Sequence, residues 1–279
     1  MIQKGVSIQQ NKMRNLGLIA GGGELPIKIL DYCEKNCIEL FTVVIKGFGD
    51  KTKYSNCIEL NFGQVGKAIN FFKKNNVDNI VFAGYVKKPS LFKLKIDWKG
   101  LKLLKSILSS KLLGDNSILE TVIKFFESCG INVLEVDKIL DNIKFEAGFN
   151  SNIVCEDYFD DIEIGKKVIE KLSDLDIGQS VIVQQKSVVG IECFEGTEKL
   201  INRCSELKFN VGRKPILVKM KKSDQTRKAD LPTIGPDTIE QLHNAGFAGV
   251  ALDSKNCLVV SIEKTKDLAN KYNLFIYGI

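Results

Sequence analysis

Carboxylates, prolines and a glycine are concentrated in one short loop, residues 227–238, with the sequence RKADLPTIGPDT. It carries Asp230 and Asp237, together with two of the chain's five prolines and Gly235. Proline fixes φ and glycine permits unusual φ, so the segment predicts a rigid, irregular loop. A rigid loop with carboxylates can hold a metal ion or a reacting water. The alternative is a helix entry, in which Asp237 caps a helix over residues 239–245.

Histidine offers little to catalysis, because His243 is the only histidine in 279 residues. A Ser-His-Asp or Cys-His device would need that one side chain, and a His-rich zinc site is impossible. His243 lies near the end of the predicted helix, before Gly246, where a surface or capping role is favoured. Acid–base chemistry therefore depends on carboxylates, lysine or metal-bound water.

The bulk composition is that of a soluble globular protein, with 44% hydrophobic and 27% charged residues. The net charge of +6 suits anionic small molecules or an anionic membrane surface, but it is too small to indicate a nucleic-acid partner. No apolar run reaches the roughly 18 residues of a transmembrane helix. The eight scattered cysteines predict reduced, buried thiols in a cytoplasmic protein.

The order of predicted elements divides the chain into two α/β domains. Residues 1–15 are polar and predict a disordered or extended N-terminus. Strands and helices alternate over residues 16–150, which predicts a Rossmann-like domain with a parallel sheet. The pattern weakens around residues 151–158, which marks a domain junction. Residues 151–279 mix a hairpin with helices and predict an α/β domain with a mixed sheet.

Two glycine-containing loops follow strands of the first domain. Gly21–Gly23 lies between a predicted strand and a helix, an arrangement that can aim backbone N–H groups at phosphate. Pro26 replaces the third glycine of the dinucleotide fingerprint and no acid follows the second strand, which argues against a nicotinamide cofactor. Another phosphate or nucleotide contact and a merely tight turn both remain open. A second loop, residues 84–89, follows the strand over residues 79–83, so the two loops could face one another.

Residues 97–113 combine leucines and lysines behind Trp98. A basic amphipathic helix of this kind can lie on a membrane surface. The alternative is a helix that packs its apolar stripe on the core and solvates its lysines. Asp115, which follows, either caps the next helix or lies in a cleft.

Three segments of the second half can contribute to one cleft. Gln185 follows a strand, Glu192 and Glu195 follow the hairpin, and Lys219 precedes the loop at residues 227–238. Carboxylates and amides suit Mg²⁺, which in turn suits phosphate substrates and lowers the pKa of bound water. An exposed strand end and a helix entry would equally explain the two glutamates.

Six motifs, taken in order along the chain, resemble the LpxI family of UDP-2,3-diacylglucosamine pyrophosphatases, which act in lipid A biosynthesis. The motifs are Leu18–Pro26, Phe82–Pro89, Gly114–Asn116 with Phe125–Glu127, Gly178–Gln185, Glu192–Thr197 and Asp230–Thr238. Together they cover roughly residues 16 to 279, all but the N-terminal extension.

The resemblance implies a two-domain cytoplasmic enzyme, often dimeric, that is active with Mg²⁺ or Mn²⁺ and holds a UDP-linked glycolipid between its domains. Water would attack the α-phosphorus and release UMP and 2,3-diacylglucosamine 1-phosphate (lipid X). A substrate with two acyl chains implies peripheral contact with the inner membrane. The essential aspartate of the family's DLPTIGPD motif corresponds to Asp230, which assigns catalysis to the C-terminal domain.

The resemblance and the chemistry of the side chains together suggest roles for individual residues. Asp230 is expected to act in catalysis and to bind metal, while Lys219 and Arg227 offset charge on phosphate oxygens. The other candidate metal ligands are Glu192, Glu195 and Asp237. The expected substrate contacts are Gly22, Gly23, Ala83, Gly84, Val86, Lys88, Asp115, Gln185, Thr197 and Thr233. Lys88 replaces an arginine common in the family, which keeps a phosphate contact but loses bidentate geometry.

Two other functions are compatible with the residues. One is a nucleotide-cofactor oxidoreductase built on the glycine loop, which NAD binding would support. The other is a glycolipid- or nucleotide-binding module without turnover, in which Asp230→Ala would leave binding and function intact.

Overall fold

Each half of the chain forms its own β-sheet in the computed structural model. The structure describes residues 13–86, 95–109, 115–140, 142–222, 226–228 and 231–279, without the side chains of residues 115 and 116. The chain separates into two units, the first of which ends at Leu140. Among the described residues, no helix is both long and apolar enough to cross a bilayer.

The first unit contains a five-stranded, wholly parallel sheet in the order β3-β2-β1-β4-β5. Its strands are β1 Asn15–Ala20, β2 Glu39–Ile45, β3 Asn56–Leu60, β4 Asn79–Ala83 and β5 Asn132–Val133. Its helices are α1 Leu25–Lys35, α2 Val65–Lys74, α3 Trp98–Leu108 and α4 Asp115–Ser128. The strand order reverses between β1 and β4, so the topological switch point lies at their carboxyl ends. The predicted Rossmann-like sheet is confirmed.

The second unit contains a six-stranded mixed sheet in the order β6-β13-β11-β9-β7-β8 and a two-stranded sheet of β10 and β12. Its strands are β6 Gly148–Phe149, β7 Ser180–Gln184, β8 Ser187–Ile191, β9 Ile216–Lys219, β10 Thr233–Ile234, β11 Gly249–Leu252, β12 Leu258–Val259 and β13 Phe275–Gly278. Its helices are α5 Phe159–Ser173, α6 Thr197–Leu207, α7 Pro236–Asn244 and α8 Ile262–Lys271. The predicted mixed sheet is also confirmed.

Helices cover both faces of the mixed sheet, because side chains alternate along each strand. Val181 and Val183 of β7 pack with residues of α5 on one face. Ile182, which lies between them, packs with residues of α6, α7 and α8 on the other face. The second unit therefore has two apolar cores, one on each side of its sheet.

One edge of this sheet collects chain ends from several strands. β9 and β11 run parallel, and β7 runs antiparallel to β9, so that Ser180 pairs with Lys219. β8 returns along β7, so that Ile191 pairs with Val181. The ends of β8, β9 and β11 and the beginning of β7 consequently lie together, and this line is called the carboxyl edge below.

The predicted capping role of Asp237 is wrong. α7 begins at Pro236, three positions before the predicted start, and Gly235 is its N-cap residue. Asp237 lies inside the first turn and is therefore not the N-cap residue. Proline is well suited to the first helical position because its φ is already helical and its missing N–H is not needed there.

Candidate active site

A chain of polar side chains lies at the carboxyl edge. Lys219 Nζ donates a hydrogen bond to Thr197 Oγ1 at 2.8 Å, and Thr197 Oγ1 donates to Glu192 Oε1 at 3.0 Å. Ser180 Oγ lies 3.3 Å from Thr197 Oγ1. Because the threonine proton is committed to Glu192, Ser180 must be the donor in this last contact. Thr197 thus connects a cation and a carboxylate through one hydroxyl.

Both charged members of this chain are buried, with Lys219 4% and Glu192 7% exposed. Burying charges is costly unless they are hydrogen-bonded and compensated. Among the described residues, Glu192 Oε2 is buried and has no hydrogen-bond partner. Buried polar atoms are rarely left unpaired, so this oxygen is a position that a ligand would complete.

The local sequence explains how Glu192 and Thr197 are brought together. Gly178 has a φ of +52°, and a Cβ there would lie 2.1 Å from the Glu192 carbonyl oxygen, so only glycine fits. Gly196 has a φ of +82° and turns the chain into α6, which places Thr197 at the first position of the helix. The positive end of the α6 dipole favours the nearby carboxylate of Glu192.

Arg227 is held at the same edge through two residues that follow β11. Asp253 N donates to Lys219 O at 3.1 Å, which fixes this turn against the end of β9. The Asp253 carboxylate accepts hydrogen bonds from Lys255 N and Asn256 N at 3.1 Å and from Asn256 Nδ2 at 2.8 Å. Arg227 Nη1 donates to Asn256 Oδ1. Two of the three predicted catalytic residues, Lys219 and Arg227, are therefore linked at the carboxyl edge.

The third, Asp230, lies outside the described residues. On its C-terminal side, Thr233 Oγ1 donates to Leu231 O at 3.0 Å, and Leu258 N donates to Pro232 O at 2.7 Å. The start of β10 is thus attached to β12. The hydroxyl of Thr233, a predicted substrate contact, is used within this loop.

The predicted metal ligands differ in their surroundings. Glu195 accepts hydrogen bonds from Arg203 Nη2 at 2.9 Å and Cys193 N at 3.2 Å. The hydrogen bond from Arg203 is the main cause of a lowered pKa of Glu195. Asp237 is exposed in the first turn of α7. In the described parts of the chain, no three His, Cys, Asp or Glu side chains are grouped to hold a metal ion.

A hard cation would nevertheless fit one group, because Glu192 Oε2 is a buried carboxylate oxygen to which no described residue donates a hydrogen bond. Glu195 would have to leave its guanidinium partner in order to coordinate a metal. The described residues thus offer one ready ligand, and Asp230 is the predicted ligand outside them.

Gln185 lies at the opposite edge of the sheet, in the two-residue turn between β7 and β8. Five residue steps along β7, at roughly 3.3 Å each, place it about 16 Å from Ser180. Its amide donates to Val211 O at 2.9 Å, and the turn N–H groups of Gln185 and Lys186 donate to the buried Asp161 at 3.1 and 2.6 Å. The structure therefore does not bring Gln185 to the Lys219–Thr197–Glu192 chain.

The two glycine loops of the first unit pair with each other at the switch point. Gly21 N donates to Ala83 O at 2.8 Å, and Gly22 N donates to Tyr85 O at 2.9 Å. A Cβ on Gly84 would lie 2.4 Å from the Gly22 carbonyl oxygen, and the φ of Gly84 is +90°. Close loop packing thus accounts for these glycines, and the N–H groups of Gly21 and Gly22 are not available to a phosphate.

The remaining predicted substrate contacts are only partly described. Val86 lies against Gly21, where its Cγ2 would be 2.9 Å from an added Cβ. Gly23 has a φ of +94° and precedes α1. The backbone of Asp115 begins α4, but its side chain, like all of Lys88, lies outside the described residues.

Thiol chemistry is disfavoured at Cys257, the cysteine beside Lys219. All eight cysteines are free, and four of them are buried. Cys257, beside Lys219, is fully buried, and burial raises the pKa of its thiol to about 12. A thiol with so high a pKa carries almost no thiolate near neutral pH and is a poor nucleophile.

Sequence reasoning missed Ser180, Asp253 and Asn256. Ser180 carries no motif of its own, and its role follows from its pairing with Lys219. Asp253 and Asn256 lie in the turn that follows the short apolar strand β11. The carboxyl ends of parallel strands meet at one edge of a sheet, so side chains that follow such strands are brought together there. Their position after a predicted strand of the parallel part of the sheet could have identified them as candidate site residues.

Comparison with known proteins supports one family for both units. The model of the LpxI N-terminal domain matches residues 15–143, and that of the LpxI C-terminal domain matches residues 149–277. The chain is 30% identical over 275 residues to a Caulobacter vibrioides protein named UDP-2,3-diacylglucosamine pyrophosphatase LpxI. The match covers 96% of this chain and 98% of the relative. The resemblance carried by the six motifs is confirmed, and the chain belongs to the LpxI family.

Proposed function

We propose that this chain is a hydrolase that cleaves the pyrophosphate of UDP-2,3-diacylglucosamine into UMP and lipid X, in lipid A biosynthesis. The name of the Caulobacter vibrioides relative supports the substrate. The observation that carries the proposal is the buried Lys219–Thr197–Glu192 chain, because it supplies a cation and an unpaired carboxylate oxygen at one sheet edge.

Water attack on the α-phosphorus moves negative charge onto the phosphoryl oxygens and the leaving lipid X phosphate. Preorganised cations lower the energy of such a transition state because they need no reorganisation as the charge develops. Lys219 is fixed by Thr197 and Arg227 by Asn256, so both can serve as such cations. We assign Asp230, the essential aspartate of the family motif, to orient the attacking water or to bind metal.

Mg²⁺, with Mn²⁺ as an alternative, would be held by Asp230 and Glu192, with Glu195 and Asp237 as further ligand candidates. When bound, the metal supplies a Lewis acid and lowers the pKa of its water. Thr197 contributes by keeping Glu192 Oε1 occupied, so that only Oε2 is directed to a ligand.

The proposed function includes a homodimeric, cytoplasmic protein in peripheral contact with the inner membrane. The two acyl chains of the substrate require an apolar binding surface. Gly22, Gly23, Ala83, Gly84, Val86 and Lys88 are kept as the first unit's candidates for substrate contact, through atoms other than the N–H group of Gly22, which is paired with Tyr85.

The test is release of UMP from UDP-2,3-diacylglucosamine by the purified protein. We expect UMP with Mg²⁺, none after chelation, and recovery when Mg²⁺ is restored. Asp230→Ala should lower the rate by at least about a hundredfold, as loss of an essential catalytic group does. Glu240→Ala, an exposed carboxylate on α7, is the matched control and should keep the rate of the native chain. Undiminished release from Asp230→Ala would refute the assignment.

A further inference from the structure

Positive charge is concentrated in one stretch of the first unit. Residues 87–113 contain eight lysines and a single acidic residue, Asp97, which gives a net charge of +7. The whole chain has a net charge of +6, so the rest of the molecule is close to neutral. Such segregation produces a local positive potential that the overall charge does not reveal.

The single carboxylate of this stretch is turned inward. Asp97 accepts hydrogen bonds from Gly66 N at 3.1 Å and Lys67 N at 3.0 Å, in the first turn of α2. It also accepts one from Gly100 N at 2.8 Å and thereby caps α3. The carboxylate therefore faces two helix N-termini on the packed side of α3, and the exposed lysines lie on the other side.

The buried side of α3 is formed by few residues and determines which side of the helix faces solvent. A Cβ on Gly100 would lie 2.0 Å from Gly63 O, which shows how closely the helix approaches the loop before α2. Gly100 and Leu103 are its buried residues. The opposite side of α3 therefore points into solvent.

That exposed side, here called the outer face of α3, mixes large apolar groups with lysines. Trp98 is 72%, Leu108 60% and Leu101 37% exposed. Lys102 and Lys105 are exposed between them, and Lys102 Nζ lies 5.9 Å from the centroid of the Trp98 ring. Tryptophan and long lysine stems favour the boundary between lipid head groups and acyl chains, where the ring is partly buried and the ammonium remains hydrated.

We propose that the outer face of α3 binds the anionic surface of a lipid bilayer. Lysines near such a surface gain from its negative potential, while Trp98, Leu101 and Leu108 enter the head-group region. A second copy of this chain is a poorer occupant, because two such faces would place lysines opposite lysines. The proposed function explains why the protein would approach a membrane, and in that respect this proposal rests on it. Binding of α3 to lipid does not itself require hydrolysis.

Trp98 is the only tryptophan in the chain, so its fluorescence reports on this face alone. With vesicles of phosphatidylglycerol and phosphatidylcholine we expect its emission to shift to shorter wavelength and to be quenched by brominated acyl chains. Vesicles of phosphatidylcholine alone should cause a much smaller change, and added salt should reverse the effect. A shift that depends on protein concentration without vesicles would mean that a second copy covers the face, which would overturn the proposal.

Charge reversal provides an independent measurement by co-sedimentation. Lys102→Glu/Lys105→Glu should weaken binding to the anionic vesicles by at least about tenfold, given the contribution of each lysine near the surface. Lys73→Glu/Lys74→Glu, an exposed pair on α2, changes the net charge equally and should bind nearly as well as the native chain. Equal loss in both variants, no binding by the native chain, or binding without a change in Trp98 emission would each overturn the proposal. UMP release from detergent-dispersed substrate, assayed in parallel, separates failure of this contact from failure of the proposed function.

Discussion

At the scale of single residues, Thr197 is central to the candidate site. Its hydroxyl accepts from Lys219 and donates to Glu192, so one oxygen orients two buried charges. The sequence singled out all three residues, but it did not predict their connection. That connection depends on the pairing of Ser180 with Lys219 in a mixed sheet, which local residue patterns do not specify.

Substitution of Thr197 tests this connection. Thr197→Val keeps the shape of the side chain but leaves Lys219 and Glu192 without their common partner. We expect loss of about 1–3 kcal/mol in the free energy of unfolding, the cost of unpaired buried polar groups. We also expect kcat for UMP release to fall by at least about tenfold, as after loss of a preorganised contact.

Thr197→Ser is the matched control, because it restores the hydroxyl without the methyl group. Its kcat should stay within a few-fold of the native value, as measured by UMP release beside urea unfolding. Equal losses of kcat in the valine and serine variants would show that the hydroxyl is not the important group.

At the scale of elements, the hairpin of β7 and β8 shows that residues of a family motif can have a structural role. Its two strands and short connection were predictable from alternating apolar residues between turn signals. The roles of Gln184, at the end of β7, and Gln185, in the turn, were not predictable, because their hydrogen-bond partners lie more than twenty residues away. Gln184 bonds to Phe209 and Arg213, and Gln185 bonds to Val211. These amides hold a loop, which is a structural use of a motif that also suggested substrate contact.

Gln185→Ala separates these two roles. If the amide mainly holds Val211, the free energy of unfolding should fall by about 1 kcal/mol, the usual net value of one hydrogen bond. KM for UDP-2,3-diacylglucosamine should then be unchanged. The check is thermal unfolding beside steady-state kinetics, with the exposed Lys199→Ala on α6 as control. A raised KM at unchanged stability would instead support the predicted substrate contact.

At the scale of the whole molecule, sequence patterns identified the fold class and the family well. Apolar strands alternating with helices predicted the parallel sheet of the first unit, and the hairpin predicted the mixed sheet of the second. The glycine loops were harder to interpret, because a phosphate cradle and a tight loop contact require the same residue type. Only the hydrogen bonds of Gly21 and Gly22 to Ala83 and Tyr85 show that their N–H groups are already paired.

The described candidate groups Lys219, Thr197, Glu192 and Arg227 all belong to the second unit. We therefore place the proposed metal-dependent attack of water on the α-phosphorus in that unit. The most direct measurement is hydrolysis of UDP-2,3-diacylglucosamine with Mg²⁺ in water enriched in the heavy oxygen isotope, followed by mass spectrometry of both products. If water attacks the α-phosphorus, we expect heavy oxygen in UMP and none in lipid X. Heavy oxygen in the lipid X phosphate, or no UMP at all, would contradict it.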